Sequence, residues 1–360
     1  MGYAHNISPL AGFAPVLGVY GVGWIAAVIA GTLAAVPATR RPLGIAAVLV
    51  IGGVALKLVP WTHPQGQPIS VRLLQGNIPQ EEKFQNTHLA DTLQMYSTML
   101  REKPADLIAT PETAIVEPPQ ALTPDYLATL LAYAKASNSH LALGIVLSDA
   151  PYDYTNSLID VSPTLKQDNL YRYDKHHLVP FGEFIPYGFH WFVAMLNIPL
   201  GDQTSGPLPQ KPFAVKDQWI LPNICYEDLF GEEIAENIVA ADRAGQPQPT
   251  VLLNVSNMAW FGQWLAVPQH VQISQMRALE TGRPALRATN TGATAVISPQ
   301  GVIVKELPPY TRGALEASVQ GYAGLTPYIV CGNALVVALA MLSLIGAALA
   351  TRKERLLNTR

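Results

Sequence analysis

Long uncharged segments at the two ends of the chain constrain its structure more than any other sequence feature. Residues 6–39 and 317–351 contain no charged side chain, and residues 43–60 contain only Lys57, close enough to the segment's end to reach a polar interface. A helix needs about 20 apolar residues to cross the hydrocarbon core of a bilayer. The sequence therefore predicts three membrane-spanning helices, at about residues 14–37, 43–60 and 328–350.

Basic side chains beside these segments predict their orientation. Arg40 and Arg41 follow the first segment, and Arg352, Lys353 and Arg355 follow the third. Because Lys and Arg are enriched in cytoplasmic loops, both clusters should be cytoplasmic, and residues 68–320 should lie on the outer side of the membrane. A cleavable signal peptide is the alternative for the first segment, but it would need a basic start and a shorter apolar core.

The composition argues against several classes of site. Charged residues make up 14% of the 360 residues, against about 25% in an average soluble domain. With a net charge of -3 the chain lacks a basic nucleic-acid footprint, so we expect no nucleic-acid partner. Cys225 and Cys331 lie in very different contexts, so no disulfide is expected. His176 and His177 are adjacent and would point to opposite faces of a strand, so we predict no metal and no cofactor.

The middle of the chain has the pattern of a layered α/β domain. Short β-rich runs alternate with longer amphipathic stretches, and the last runs are spaced like hairpins, which predicts a mixed sheet with helices on its faces. The predicted domains are 1–67 with two membrane helices, 68–320 as the catalytic domain, and 321–360 with a membrane helix and basic tail. Predicted strands are 70–75, 107–110, 141–146, 156–160, 219–225, 250–255, 286–290, 294–298 and 302–305, and predicted helices are 87–101, 124–136, 231–241 and 267–281.

Three polar residues stand at the ends of predicted strands, where chemistry in layered α/β folds is concentrated. Glu112 follows a short apolar strand, Cys225 ends another, and Lys175 lies in the stretch 173–186 between them. Taken singly, each has an ordinary interpretation. A lone cysteine after a strand is usually a small apolar residue, and a Glu or Lys there is usually solvated surface.

The sequence around these residues resembles the nitrilase superfamily and, within it, the apolipoprotein N-acyltransferase family. The resemblance covers essentially the whole chain, and the long string at 175–186 is its most specific part. The matching motifs are 74–80, 111–114, 175–186, 224–227, 259–262, 276–280 and 283–292.

The resemblance implies a four-layer αββα fold and a catalytic triad. It implies that Glu112 is the general base, Lys175 the charged stabiliser and Cys225 the nucleophile. It also implies four supporting site residues, which are Glu183, Tyr226, Glu227 and Trp260. The implied enzyme is a membrane N-acyltransferase of the bacterial inner membrane. It would move a fatty acyl group from a phospholipid, through a Cys thioester, to the α-amine of the diacylglyceryl-Cys of an apolipoprotein.

These residue types suit acyl transfer. The thiolate is the attacking species, and a free Cys is only a few per cent ionised near neutral pH. Glu112 can accept the thiol proton and return it to the leaving group, while the Lys175 ammonium would stabilise the thiolate and the oxyanion. Membrane helices also suit lipid substrates, because each methylene removed from apolar surroundings costs about 0.8 kcal/mol.

Some features depart from the family pattern. Family members usually carry further membrane helices ahead of the first segment, so the chain is expected to be amino-terminally short. Met258 stands where the family normally has Asp, and Thr110 where it often has Trp. Two alternatives stay open: a membrane-anchored amide hydrolase, and a non-catalytic membrane scaffold. Some apolar loop residues are expected either to enter the membrane interface or to pack in the core; they are Phe189, Trp191, Phe192, Met195 and Leu196.

Overall fold

A computed structural model describes residues 1–34, 41–83, 85–151, 153–165, 170–189 and 202–358 of the chain. Of the loop residues expected at the interface or in the core, Trp191, Phe192, Met195 and Leu196 lie outside the described residues. Phe189 is described, and its side chain is 47% exposed.

The described strands form two six-stranded mixed sheets and one two-stranded ribbon. In the first large sheet the order is β13-β2-β3-β4-β5-β6, and in the second it is β12-β11-β10-β9-β8-β7. The ribbon pairs β1 with β14. The strands are β1 His63–Pro64, β2 Ile69–Gln75, β3 Leu107–Ala109, β4 His140–Ala150, β5 Asp153–Val161, β6 Tyr171–Asp174, β7 Phe213–Val215, β8 Gln218–Ile224, β9 Val251–Ser256, β10 Ala285–Thr289, β11 Ala295–Ile297, β12 Ile303–Glu306, β13 Gly313–Val319 and β14 Tyr322–Ala323.

Helices cover the outer faces of the large sheets and form both ends of the chain. Within the described residues they are α1 Ala14–Ala34, α2 Arg41–Lys57, α3 Gln80–Lys83, α4 Asn86–Arg101, α5 Pro124–Ser137, α6 Gly231–Arg243, α7 Ala266–Thr281, α8 Pro327–Cys331 and α9 Ala334–Asn358. Each of the nine predicted strands and four predicted helices of the middle segment is found, with small shifts at the ends.

Three apolar clusters define the layers. The central cluster joins the inward faces of both sheets, with Leu73 and Ala109 from the first sheet and Ile224 and Leu253 from the second. A second cluster packs α4 and α5 on the other face of the first sheet. A third packs α6 and α7 on the other face of the second sheet. The domain is therefore a helix–sheet–sheet–helix sandwich, the αββα fold that the family resemblance implies.

The apolar ends differ from their predicted form. Two described helices, Pro9–Ala34 and Ala334–Arg352, are long and apolar enough to cross a membrane, whereas the apolar helix Leu43–Lys57 is shorter. The third predicted segment, 328–350, is not one continuous helix. The chain leaves helical geometry at Gly332, with φ 53° and ψ −135°, so Tyr328 belongs to the separate helix α8. The Tyr328 side chain is buried.

The first apolar helix is joined to the sandwich at a break. Gly18 has φ 65° and ψ −176°, which interrupts α1. The Val19 N–H after the break donates to Glu280 Oε1 at 2.7 Å. Glu280 is fully buried in α7 and also accepts from Arg277 Nη2 at 2.8 Å. A charged pair of the sandwich thus satisfies a backbone group that the broken helix leaves free.

Candidate functional site

Glu112 lies just after β3, with its side chain almost fully buried. Its Oε1 accepts hydrogen bonds from Lys175 Nζ at 3.0 Å and Asn156 Nδ2 at 2.8 Å. Its Oε2 accepts from the Asn257 N–H at 2.8 Å. Burial disfavours the charged carboxylate, but the attraction of Lys175 and Lys83 outweighs it and holds the pKa of Glu112 below its usual range. Glu112 is therefore ionised and able to accept a proton.

Lys175 follows β6 and is one of the largest fully buried side chains of the molecule. Its Nζ donates to Glu112 and also to Glu183 Oε1, at 2.7 Å. Burial lowers the pKa of Lys175, but the nearby Glu112, Cys225 and Glu183 raise it by more. The resulting pKa of Lys175 lies above its usual range. The ammonium therefore stays charged. Glu183 is itself held by the Val179 N–H, which donates to Oε2 at 2.8 Å.

Cys225 begins the tight turn Cys225–Leu229 that follows β8. Its φ of 53° places it in the left-handed region, which is unusual for a residue with a Cβ and is a feature of strained functional turns. The thiol is half-buried, and the Asn257 backbone hydrogen-bonds it as well as Glu112. Burial and Glu112 raise the pKa of Cys225, while Lys175 lowers it. The resting thiol is therefore protonated and needs a base when it reacts.

Glu227 connects the turn that begins at Cys225 to the segment that carries Lys175. Its Oε1 accepts from the His176 N–H at 2.6 Å and the His177 N–H at 3.3 Å. Its Oε2 accepts from the Ile224 N–H at 2.6 Å and the Tyr173 hydroxyl at 3.0 Å. Burial raises the pKa of Glu227 to about 7, and these donors oppose the shift. One carboxylate therefore fixes the positions of Lys175 and Cys225 relative to each other.

The structure brings five of the predicted residues together and leaves two at the margin. Glu112, Lys175 and Glu183 share hydrogen bonds, and Cys225 lies within electrostatic range of all three. Glu227 hydrogen-bonds the backbone beside Lys175 and Cys225, at His176 and Ile224. The Tyr226 ring instead packs edge-on against His177 and Phe230, with centroids 5.6 Å and 5.3 Å away. The Trp260 side chain is 65% exposed on the short helix Ala259–Phe261. Among the described residues, neither side chain hydrogen-bonds to Glu112, Lys175 or Cys225.

Three further site residues escaped the sequence analysis. Asn156 and Asn257 donate to the two oxygens of Glu112. Lys83, only 4% exposed, donates from Nζ to the Glu112 main-chain oxygen at 2.9 Å. Lys83 stands three residues beyond the motif 74–80, and that proximity is the one sequence signal that points to it. In the part of the chain that the structure describes, no cluster of His, Cys, Asp or Glu has the arrangement of a metal site.

Both departures from the family pattern have a local structural account. Met258 is 2% exposed and packs in the apolar cluster between the second sheet and α7, beside Val267 and Val271. An unpaired Asp would be costly among these apolar neighbours. Thr110 is fully buried, and its hydroxyl accepts from the Gly144 N–H at 2.9 Å. The hydroxyl therefore satisfies a buried backbone group next to Glu112.

Comparison with known proteins places the chain in a family. Residues 70–328 match the family model described as carbon-nitrogen hydrolase. An apolipoprotein N-acyltransferase of Ralstonia nicotianae is 51% identical over 98% of this chain and 67% of the relative. Another, of Nitrosomonas europaea, is 44% identical over 99% of this chain and 70% of the relative. The chain belongs to the apolipoprotein N-acyltransferase family. The motif resemblance is thereby confirmed.

Solved structures of low sequence identity share the sandwich. A CN-hydrolase superfamily protein of Xanthomonas campestris is 17% identical, with a TM-score of 0.51, over 71% of this chain and 91% of that one. An amidase of Nesterenkonia sp. is 15% identical, with a TM-score of 0.53, over 76% and 97%. At these identities the likeness concerns the fold alone.

Proposed function

We propose that the chain transfers a fatty acyl group from a phospholipid to the α-amine of a diacylglyceryl-modified N-terminal Cys of an apolipoprotein. The observation that carries this proposal is the buried network in which an ionised Glu112, a charged Lys175 and the Cys225 thiol meet, in a member of the N-acyltransferase family. We assign Glu112 as base, Lys175 as stabilising cation and Cys225 as nucleophile.

The first half-reaction loads the enzyme. Cys225 Sγ attacks the ester carbonyl carbon of the phospholipid as the thiol proton passes to Glu112. The Lys175 ammonium stabilises the oxyanion of the tetrahedral intermediate. The C–O ester bond then breaks, and Glu112 returns the proton to the leaving oxygen. The products are a Cys225 thioester and a lysophospholipid.

The second half-reaction transfers the acyl group from the Cys225 thioester to the acceptor. The neutral α-amine of the acceptor attacks the thioester carbonyl, and Glu112 accepts the proton that the amine loses. The C–S bond breaks as an amide bond forms, and the sulfur regains a proton from Glu112. The enzyme returns to its resting state, with the thiol protonated and the carboxylate ionised. Neither half needs a cofactor or a metal in this scheme.

Exposed apolar surface supports a membrane location. The window Ala334–Arg352 is only 6% buried within the protein, and it is long and apolar enough to cross a bilayer. The segments that hold Lys175 and Asn257 also continue into exposed aromatic residues, which are Phe181, Tyr187, Phe189, Trp260 and Trp264. We propose that the end helices span the bacterial inner membrane, with residues 68–320 on its outer side and these aromatic residues at the lipid surface.

A reconstituted assay tests the proposal. The full chain in detergent is given phosphatidylethanolamine and a synthetic diacylated lipopeptide, and products are followed by mass spectrometry. We expect lysophospholipid and triacylated lipopeptide, together with an acyl adduct on Cys225, and none of these with Cys225→Ala. Turnover of a small amide without lipid would favour an amide hydrolase. A folded but inert chain would favour a scaffold and contradict the proposal.

A further inference from the structure

The charges that the proposed mechanism uses are unbalanced. Lys175 Nζ is shared between two carboxylates, Glu112 at 3.0 Å and Glu183 at 2.7 Å. Two negative charges thus face one positive charge in a site where Glu112 and Lys175 are almost completely removed from water. An uncompensated charge in such surroundings is costly, and a carboxyl group there normally responds by taking up a proton. If Glu112 did so, the base would be lost.

A second buried lysine, Lys83, lies beside Glu112. Lys83 ends α3, and its ammonium donates to the main-chain oxygen of Glu112 at 2.9 Å. The side chain is 4% exposed, and a lysine is rarely buried to this extent unless it is paired. The mechanism above gives Lys83 no role. Counting it, Glu112 and Glu183 supply two carboxylates and Lys175 and Lys83 two ammonium groups, beside the neutral Cys225 thiol, so the charges of these groups balance. Glu227 is satisfied separately, by four hydrogen-bond donors of its own.

We propose that Lys83 is a positioning residue that balances the charge of the site and thereby keeps Glu112 ionised as the base. The inference rests on the proposed role of Glu112. Lys83 acts through Glu112, because its ammonium donates to the main-chain oxygen of Glu112 and the charge of Glu112 is the strongest electrostatic influence on it.

The groups that face Lys83 agree with this role. Glu112 comes from the segment after β3, Lys175 from the segment after β6, and Cys225 from the turn after β8. On its own helix, the neighbouring Glu81 and Glu82 are exposed to solvent. Burial lowers the pKa of Lys83 to about 8, while Glu112 and Cys225 oppose the shift and Lys175 reinforces it. Lys83 therefore carries its balancing positive charge below about pH 8 and loses it as the pH rises through that value.

The test measures alkylation of Cys225 by iodoacetamide across the pH range, in the detergent-solubilised full chain. It needs no lipid, so it stands apart from the acyl-transfer assay. Cys331 is exposed, and a Cys331→Ser background removes its signal. At the acidic end of the profile, alkylation slows as Glu112 takes up a proton. We expect Lys83→Met to move this decline upward by about one pH unit, which corresponds to about tenfold slower alkylation within it. The exposed control Lys135→Met should leave the profile unchanged.

Two further variants separate a charge effect from a packing effect. Lys83→Arg keeps the charge at high pH, so its rate relative to the parent should rise as the pH passes about 8. In a Glu112→Gln background, Lys83→Met should cause no additional loss, because the group it supports is already gone.

The inference is overturned by an unshifted profile in folded Lys83→Met, or by a loss that is additive with Glu112→Gln. If Lys83→Met does not fold, a pH-independent rate ratio in Lys83→Arg overturns it equally. A chain that passes these tests but transfers no acyl group to the lipopeptide would refute the proposed function and leave the role of Lys83 intact.

Discussion

At the scale of single residues, the four hydrogen bonds to Glu227 are an unusual concentration of donors on one buried carboxylate. Three come from backbone N–H groups, at Ile224, His176 and His177, and one from the Tyr173 hydroxyl. An ionised carboxylate has only acceptors, so it suits every one of these partners. The side chain thus sets the geometry of a reaction in which we give it no chemical step.

Replacing Glu227 with Gln tests this geometric role. The amide keeps the size of the side chain but turns one acceptor into a donor, which would face backbone N–H groups. We expect a loss of about 1–3 kcal/mol in the free energy of unfolding from the unsatisfied groups. Thioester formation should slow by about 100-fold, because Lys175 and Cys225 lose their common anchor. Thermal unfolding and acyl-adduct formation measure the two effects.

The matched control is Glu236→Gln, the same chemical change at an exposed position of α6. It should alter neither quantity.

The pH profile of thioester formation gives an independent check, since the pKa of Glu227 is about 7 and its ionised fraction grows as the pH rises through that value. Thioester formation in the parent should rise over the same range, and that rise should be absent in Glu227→Gln. Full activity in Glu227→Gln would refute the anchoring role.

At the scale of secondary-structure elements, the junction between α1 and α7 depends on one glycine. The backbone of Gly18, with φ 65° and ψ −176°, lies in a region that only glycine adopts readily. A Cβ at this position would lie 2.3 Å from the ring of Tyr328 on α8. Both the break in α1 and the close approach of α8 therefore require a residue without a side chain.

Substituting Gly18 with Ala should displace α1 from α7. We expect a loss of about 2 kcal/mol or more in stability, from backbone strain together with the clash against Tyr328. Gly31→Ala is the control within the same helix, because a Cβ there meets no atom within 4 Å. That change should be neutral or slightly stabilising, since Ala favours a helix by up to about 1 kcal/mol over Gly. Equal melting temperatures for the two variants would contradict this account.

The same scale explains what sequence patterns predict here. Long strands such as β4 and β8 have continuous apolar runs and were predicted correctly. The strands β6 and β7 were not predicted; with four and three residues they are too short to show a period of two. The strands β3 and β11 are as short, but they lie within the predicted β-rich runs 107–110 and 294–298. β13 was also missed, because its pairing partner is β2, far away in the chain. Its order comes from a tertiary contact that no local window contains.

The site residues likewise divide into those that a local stretch of sequence reveals and those that only tertiary contacts reveal. The motifs pointed to Glu112, Lys175, Cys225 and Glu183, since each sits in a distinctive stretch of sequence. The roles of Asn156 and Asn257 were not predictable, because each hydrogen bond to Glu112 exists only after remote strands have packed together. For Asn257 those strands belong to different sheets.

At the scale of the whole molecule, the apolar exterior is concentrated on helices at the ends of the chain. On α9, Leu342, Leu344 and Leu349 are each more than half exposed. Exposed apolar area of this extent on one element is a property of membrane or protein interfaces. We infer that lipid covers it, in keeping with the proposed lipid substrates.

A charge placed in the middle of α9 tests that inference. Leu344→Arg should weaken membrane insertion by about 2.5–3.5 kcal/mol, because a charged side chain at a helix centre opposes insertion. Thr351→Arg adds the same charge beside Arg352, at the end of the apolar window, and should have little effect. The measurement is the fraction of chain that stays with membranes after an alkaline carbonate wash. Equal retention of both variants would argue against a spanning helix.

The strand order has a consequence for synthesis. Glu112 and Lys175 extend from the first large sheet, whose edge strand β13 pairs with β2 along its whole length, from Val319 opposite Ile69 to Gly313 opposite Gln75. A ribosome must therefore translate nearly all of residues 68–320 before β13 can complete that sheet. Until then, we expect Cys225 in the nascent chain to react with iodoacetamide as an unassisted thiol. The order of the strands therefore delays assembly of the surroundings of Cys225 until β13 has been made.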